Sequence, residues 1–322
     1  MLNILSVDVE DYHDQLALDF QDRIVPPDEE AVRCTDRLLE LFGELGVHGT
    51  FFILGEIAEY FPDLVRRIAG QGHHLGVHGY YHHLVFRQTA DEFRHSIEAA
   101  RKRIEDATGV AADAYRATAF SINESTPWAL GILADLGFRY DSSVYPFKGR
   151  RYGDPTAPRA PYKRHLPDGR WLWEVPMSTV IKWGRRWPVC GGGYLRLMPR
   201  WITDRAVTSL NAEGIGAVIY LHPYETELAP QISPLSGLSW RQRAHFHFFN
   251  FHQQVGRAHT LSKLRYLLGK YRFGTIRDAI SEAEAGLSDT RMVLPCGSCV
   301  PRGGYVFPIS WRSSCRGFFM SG

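Results

Sequence analysis

Apolar runs and stretches of helical period alternate along most of this chain. Residues 3–9 read as a buried strand. Residues 30–45 place Val32, Leu38, Leu39, Leu41 and Phe42 along one side of a helix that Gly46 stops. The same reading gives strand 49–55, helix 56–70, strand 75–79, helix 91–107 with Phe93, Ile97 and Ile104, strand 114–118, helix 125–137 and short strand 138–144. Residues 145–200 are rich in Pro, Gly, Arg and Trp and read as loops and irregular strands. Helix 201–213 and strand 217–223 resume the rhythm, and 240–285 holds a His/Phe cluster (245–252) and a last helix–strand pair. Strands alternating with helices imply a parallel sheet with helical crossovers, an α/β fold whose site lies at the carboxyl ends of the strands. After residue 285 the periodicity is lost, so 286–322 is expected to be a disordered tail outside a domain spanning 1–285.

Composition narrows the class. The 322 residues suffice for one large α/β domain or two small ones. A net charge of +2 without a Lys/Arg stripe argues against a nucleic-acid partner. Aromatics at 13% could serve as sugar platforms as well as core packing. The chain opens almost directly on a strand, without a signal-peptide pattern or an apolar run of membrane-spanning length, so a cytoplasmic location without a transmembrane segment is expected. The cysteines Cys34, Cys190, Cys296, Cys299 and Cys315 are odd in number and unevenly spaced, unlike a secreted disulfide framework. Cys296, Cys299 and Cys315 supply only three of the four ligands of a structural zinc site. The oligomeric state is not legible.

Charged residues collect where the strands should end. Asp8, Glu10 and Asp11 close the first strand, and three acids at a buried strand end repel one another unless a cation or shared proton intervenes. Alternation puts Asp8 and Glu10 on one face and turns Asp11 away. His78 and His82, four residues apart, could face one ion if separated by a helical turn, and a carboxylate would complete a set with room for water. One acid then binds metal and another serves as general base. Arg116 sits on a strand position that should be apolar, so a site carboxylate, Asp8, is its expected partner. Asp141 is a second charge on such a strand. His222 follows an apolar strand and could protonate a leaving amine.

Assembled, these residues resemble the polysaccharide deacetylase family of nodulation-type chitooligosaccharide deacetylases over about 1–285. The landmarks come in the family's order: the acidic strand end at 6–11, HxxxH at 78–82, RATAF at 116–120, the Asp141 segment and Leu221-His222. Segments 172–179, 191–199 and the closing RYLLGKYRFGTIRD are similar to an exopolysaccharide- and exosortase-associated subgroup, with 240–285 as its C-terminal extension. The resemblance implies an irregular (β/α) barrel with about seven parallel strands and metal-dependent removal of N- or O-acetyl groups from polysaccharide or oligosaccharide sugars, with zinc as the expected metal. It implies Asp8 as general base, Glu10 or Asp11 with His78 and His82 as metal ligands, Arg116 as the partner of the base and His222 as general acid. Val9 separates acids that are adjacent in most relatives, and Thr118 replaces a usual proline. Relatives with such spacing include hydrolases of small cyclic amides, an alternative substrate class. A catalytically silent carbohydrate-binding protein is the other alternative.

Overall fold

The computed structural model describes residues 1–149, 152–228 and 237–291. Strand β1 (Asn3–Val9) is buried along its whole length, as a strand covered on both faces must be. Its side chains divide by alternation. Leu5, Val7 and Val9 pack into the larger apolar cluster with the helices, while Ile4 joins Phe52, Tyr140, Trp173 and Tyr220 in a second cluster. Ser6 and Asp8 share the Ile4 side, so the acid-bearing face looks into the barrel.

Helix α1 (Tyr12–Gln21) follows and has no counterpart in the sequence reading. Helix α2 (Glu29–Leu45) begins where the Asp28 side chain accepts from the Glu30 N–H and ends at Gly46, whose φ of 62° suits glycine. Beyond β2 (Thr50–Ile53), the single helix expected over 56–70 is two, α3 (Gly55–Tyr60) and α4 (Pro62–Gly70). Pro62 explains the break: it lacks an N–H and keeps Phe61 out of helical geometry, at φ −127° and ψ 58°. Strand β3 (His74–Val77) leads to α5 (Ala90–Thr108), which opens on a capping box of Thr89 and Glu92. Strands β4 (Ala114–Tyr115) and β5 (Tyr140–Asp141), separated by α6 (Ala129–Asp135), are much shorter than the segments expected there.

The segment expected to be irregular holds two hairpins, β6 (Tyr162–His165) with β7 (Trp171–Glu174) and β8 (Thr179–Lys182) with β9 (Arg185–Pro188), then α7 (Gly192–Leu197). Next come α8 (Arg200–Ala212), β10 (Val218–Leu221), α9 (Trp240–Gln254), α10 (Thr260–Lys270), β11 (Phe273–Gly274) and α11 (Ile276–Arg291). The last helix therefore runs past the expected boundary at 285, and Cys296, Cys299 and Cys315 lie outside the described residues.

The sheet order is β10-β1-β2-β3-β4-β5-β7-β6, with β11 added to the start of β1. All pairings from β10 to β7 are parallel, which makes seven parallel strands, and β6 runs antiparallel at the edge. This curled sheet with helical crossovers is an irregular (β/α) barrel. Its parallel register brings the carboxyl ends of β1, β3, β4 and β10 to one rim. No helix among the described residues is long and apolar enough to cross a membrane.

Candidate active site

Glu10 stands just past β1, and its Oε1 lies 2.8 Å from His78 Nε2 and 3.2 Å from His82 Nε2. The two histidines sit in a loop beyond β3 rather than one helical turn apart, which corrects the local geometry expected from their spacing. Gly79, at φ 99°, turns that loop. The first amides of α3 hold it: Gly55 N–H donates to the Gly79 carbonyl at 2.9 Å and Glu56 N–H to the Tyr80 carbonyl at 3.1 Å. His78 Nδ1 lies 2.8 Å from the Arg116 carbonyl, which can only accept, so this nitrogen carries the proton. In the neutral ring Nε2 then presents a lone pair to the Glu10 carboxylate.

Two acceptors facing each other at that distance call for a cation or proton between them. The other Glu10 oxygen, Oε2, is buried and has no hydrogen-bond partner among the described residues. The Glu10, His78 and His82 donor atoms lie within 4.8 Å of one another. A buried carboxylate with two imidazoles is a donor set that suits zinc or a similar divalent ion. Burial alone would raise the Glu10 carboxyl, but the neighbouring His82 and His222 outweigh it and hold it well below its ordinary value. Asp11 is not part of this group: its Oδ2 accepts from the Asp28 N–H at 3.1 Å, at the start of α2.

Arg116 lies just past β4 and is fully buried. Its Nη1 donates to Asp8 Oδ1 at 2.6 Å, and its Nη2 donates to Ser6 Oγ and Ser142 Oγ, each at 3.0 Å. The guanidinium also lies 4.2 Å from the centre of the Phe52 ring. With that many partners the arginine is fixed, and it fixes Asp8. Asp141 does not reach this group. It accepts from Ser143 Oγ and lies in register with Glu174, both carboxyls being pushed upward by burial and the Glu174 shift being the larger.

His222 follows β10, the strand beside β1, and is 18% exposed at the side chain, with Nε2 3.9 Å from Glu10 Oε2. The Asp8, Glu10 and His222 ligand-type atoms also fall within 4.8 Å of one another. Glu225, three residues on in a 3-10 turn (Pro223–Thr226), approaches His222 Nδ1 at 3.3 Å and accepts its backbone N–H at 3.1 Å. Burial would lower the imidazole, but Glu10 and Glu225 dominate and raise it to about 9. Arg196 of α7 donates to Glu225 at 3.1 Å and to the carbonyls of His252 and Val255 at 2.7 and 2.6 Å, tying the turn to the end of α9. Glu225 and Arg196 were missed by the sequence reading. The His-x-x-Glu spacing was a visible signal for the first, whereas Arg196 carried none.

Asp8, Glu10, His78, His82, Arg196, His222 and Glu225 line a pocket of about 200 Å³, with Phe120, Tyr152, Tyr224 and Phe249 as aromatic walls. Ala119 and Phe120, at φ 48° and 54°, form part of that wall in a backbone region non-glycine residues rarely occupy. A wider groove of about 800 Å³, lined by Tyr80, Tyr81, His83, Arg87, Glu92 and His95, shares His82 and Leu84 with the pocket. Polar and charged groups at one open rim can bind a cation, take a proton from water and give one to a leaving group.

Residues 13–140 match the polysaccharide deacetylase family, and residues 142–281 match a domain of unknown function, DUF3473. A Bacillus cereus peptidoglycan-N-acetylglucosamine deacetylase is 41% identical over 83 residues, 26% of this chain and 28% of that protein. A chitooligosaccharide deacetylase from Rhizobium leguminosarum bv. trifolii is 43% identical over 49 residues, 15% of this chain and 23% of that protein. The chain thus spans about a quarter of the length of these relatives. A solved Mycobacterium smegmatis structure, itself only a candidate polysaccharide deacetylase, shares the fold at a TM-score of 0.58 and 21% identity, covering 94% of both chains. The two matched regions share one sheet and one pocket, the first bringing the histidines and Arg116 and the second His222, Glu225 and Arg196. Residues 13–140 are thus similar to the polysaccharide deacetylase family, and residues 142–281 to DUF3473, the part associated with it.

Proposed function

We propose that this protein is a metal-assisted carbohydrate deacetylase that hydrolyses acetyl groups on the sugars of a polysaccharide or oligosaccharide. One observation carries the reading: Asp8 and His222 flank a buried Glu10–His78–His82 group whose ligand-type atoms lie within 4.8 Å of one another and whose Glu10 Oε2 has no hydrogen-bond partner among the described residues. A divalent ion held by Glu10, His78 and His82, zinc by its donor set, would polarise the acetyl carbonyl and acidify water. Asp8 takes the proton of the attacking water, and Arg116 keeps its carboxylate aimed. His222 gives its proton to the departing amine, while Glu225, 3.3 Å from its Nδ1, orients the ring.

The broad groove beside the pocket supports a chain-like substrate over a small cyclic amide, which would need the pocket alone. Relatives named for peptidoglycan and chitooligosaccharide point to N-acetyl groups on amino sugars as the first substrates to try. The test is metal analysis of the purified protein together with acetate release from N-acetylated oligosaccharides, before and after chelation. Stoichiometric metal and chelator-sensitive release are expected. Failure to release acetate from oligosaccharides, with turnover of small cyclic amides instead, would reverse the choice of substrate.

The acid role has its own test. His222→Ala should slow amide hydrolysis much more than hydrolysis of activated aryl acetates, because a phenolate leaves unaided. Equal losses on both would leave His222 a positioning residue.

A further inference from the structure

Helix α9 is apolar on two opposite sides. Its inner side is settled: Phe246 is fully buried, Phe249 packs against Phe20, and Asn250 accepts a hydrogen bond of 2.9 Å from the Tyr12 hydroxyl. A step of about 100° per residue places Trp240, Ala244, Phe248 and Phe251 together on the other side. Trp240, Phe248 and Phe251 are 74%, 70% and 69% exposed. Three such aromatics leave roughly 400–500 Å² of apolar surface open to water, a patch of the size that marks an interaction site.

The charge of the segment that carries this stripe is one-sided. Between Glu227 and Asp278 the sequence contains no Asp or Glu but eight Lys and Arg, in a chain whose overall count is nearly balanced at 37 against 35. Lys270, Arg265, Arg272 and Arg277 pair with acids from other elements, and Arg257 and Lys263 are buried. Arg241 and Arg243 of α9 make no ion pair among the described residues. Arg241 and His245 border one edge of the stripe, and Arg243 and His247 border the other.

We propose that the outer face of α9 docks on an anionic lipid surface, its aromatics entering the headgroup–acyl boundary and its arginines meeting lipid phosphates. Alternative occupants fit less well. A second copy would set Arg241 and Arg243 against themselves in a two-fold interface. A saccharide would find aromatic rings but no carboxylate on this helix to accept its hydroxyls. Because Phe249, His252 and Gln253 of the same helix line the catalytic pocket, docking would hold the pocket beside the membrane.

The experiment is co-sedimentation of the full chain with phosphatidylcholine vesicles and with vesicles in which part of that lipid is replaced by phosphatidylglycerol. Binding to the anionic vesicles is expected, falling as salt rises. The triple variant Trp240→Ser, Phe248→Ser, Phe251→Ser should lose roughly tenfold or more in partitioning, since binding follows the apolar area inserted. Arg241→Gln with Arg243→Gln should lose a comparable factor at low salt and flatten the salt dependence. Unchanged circular dichroism melts and metal content would show that both variants fold. The proposal is overturned if the wild type does not pellet with anionic vesicles, or if the aromatic variant binds as well as the wild type. It is overturned equally by a solution dimer that the aromatic variant dissociates, or by a soluble anionic polysaccharide that binds this face as tightly as the vesicles do.

Discussion

Two pairs of histidines flank one short strand and do different things. His73 and His74 stand at the start of β3, and His78 and His82 stand beyond its end. His73 Nδ1 accepts the Gly49 N–H at 3.1 Å, and its ring packs against Phe42 and Phe51. His74 pairs with Asp113 at 2.7 Å and meets Thr50 Oγ1 at 3.2 Å. Burial lowers both rings, His73 to about 4, so they are neutral parts of the core at neutral pH. Four residues on, the same side chain faces a carboxylate oxygen whose partner atom is unsatisfied. Strand polarity makes the difference: in a parallel barrel the amino end is packed for stability and the carboxyl end opens to the pocket.

That comparison breaks most visibly if the outer pair is removed. His78→Ala or His82→Ala should abolish bound metal and reduce acetate release to background. Metal analysis and turnover check it, and full metal in both variants would dissolve the site. His73→Ala should do the converse. It leaves the Gly49 N–H without an acceptor and opens a cavity beside Phe42, costing about 2–4 kcal/mol, while metal content and turnover of the folded protein stay as in the wild type. A thermal melt alongside metal analysis separates the two pairs.

The smaller effect is in acid. A group whose folded value lies below its unfolded one adds stability above the unfolded value and loses it as pH falls toward the folded one. For His73 the window runs from the ordinary 6.5 down to about 4. The loss there should reach about 3 kcal/mol, with His74 adding in the same direction. Melting temperature against pH should fall across this window in the wild type and less steeply in His73→Ala. Parallel curves would mean that His73 is not the group being forced to charge.

Legibility followed how local the cause was. Strand β1 and helix α2 could be read because their apolar period and their caps at Asp28 and Gly46 lie within the segment itself. The strand-end positions of Asp8, Glu10 and His222 followed from the apolar runs that precede them. Helix α1 was not readable: Tyr12, Leu16 and Ala17 are its buried apolar residues, too few to outline a face. Helix α9 defeated periodicity for the opposite reason, having aromatics on both sides. The hairpins over 162–188 leave Trp171, Ile181, Trp183 and Trp187 exposed, so alternation gives no inside and outside. Arg196 meets Glu225 only after α7 closes on the turn behind β10, a contact between segments 29 residues apart that no local pattern encodes.

Asp8 is the residue on which the division of roles turns, because the geometry ties it to Arg116 rather than to the His78–His82 group. Metal content and kcat of Asp8→Asn, measured on the same preparation, test it. Removing a base while sparing the ligands should leave metal at wild-type stoichiometry and lower kcat by about 10²–10⁴. Loss of the metal together with activity would make Asp8 a ligand and contradict the division of roles at this rim.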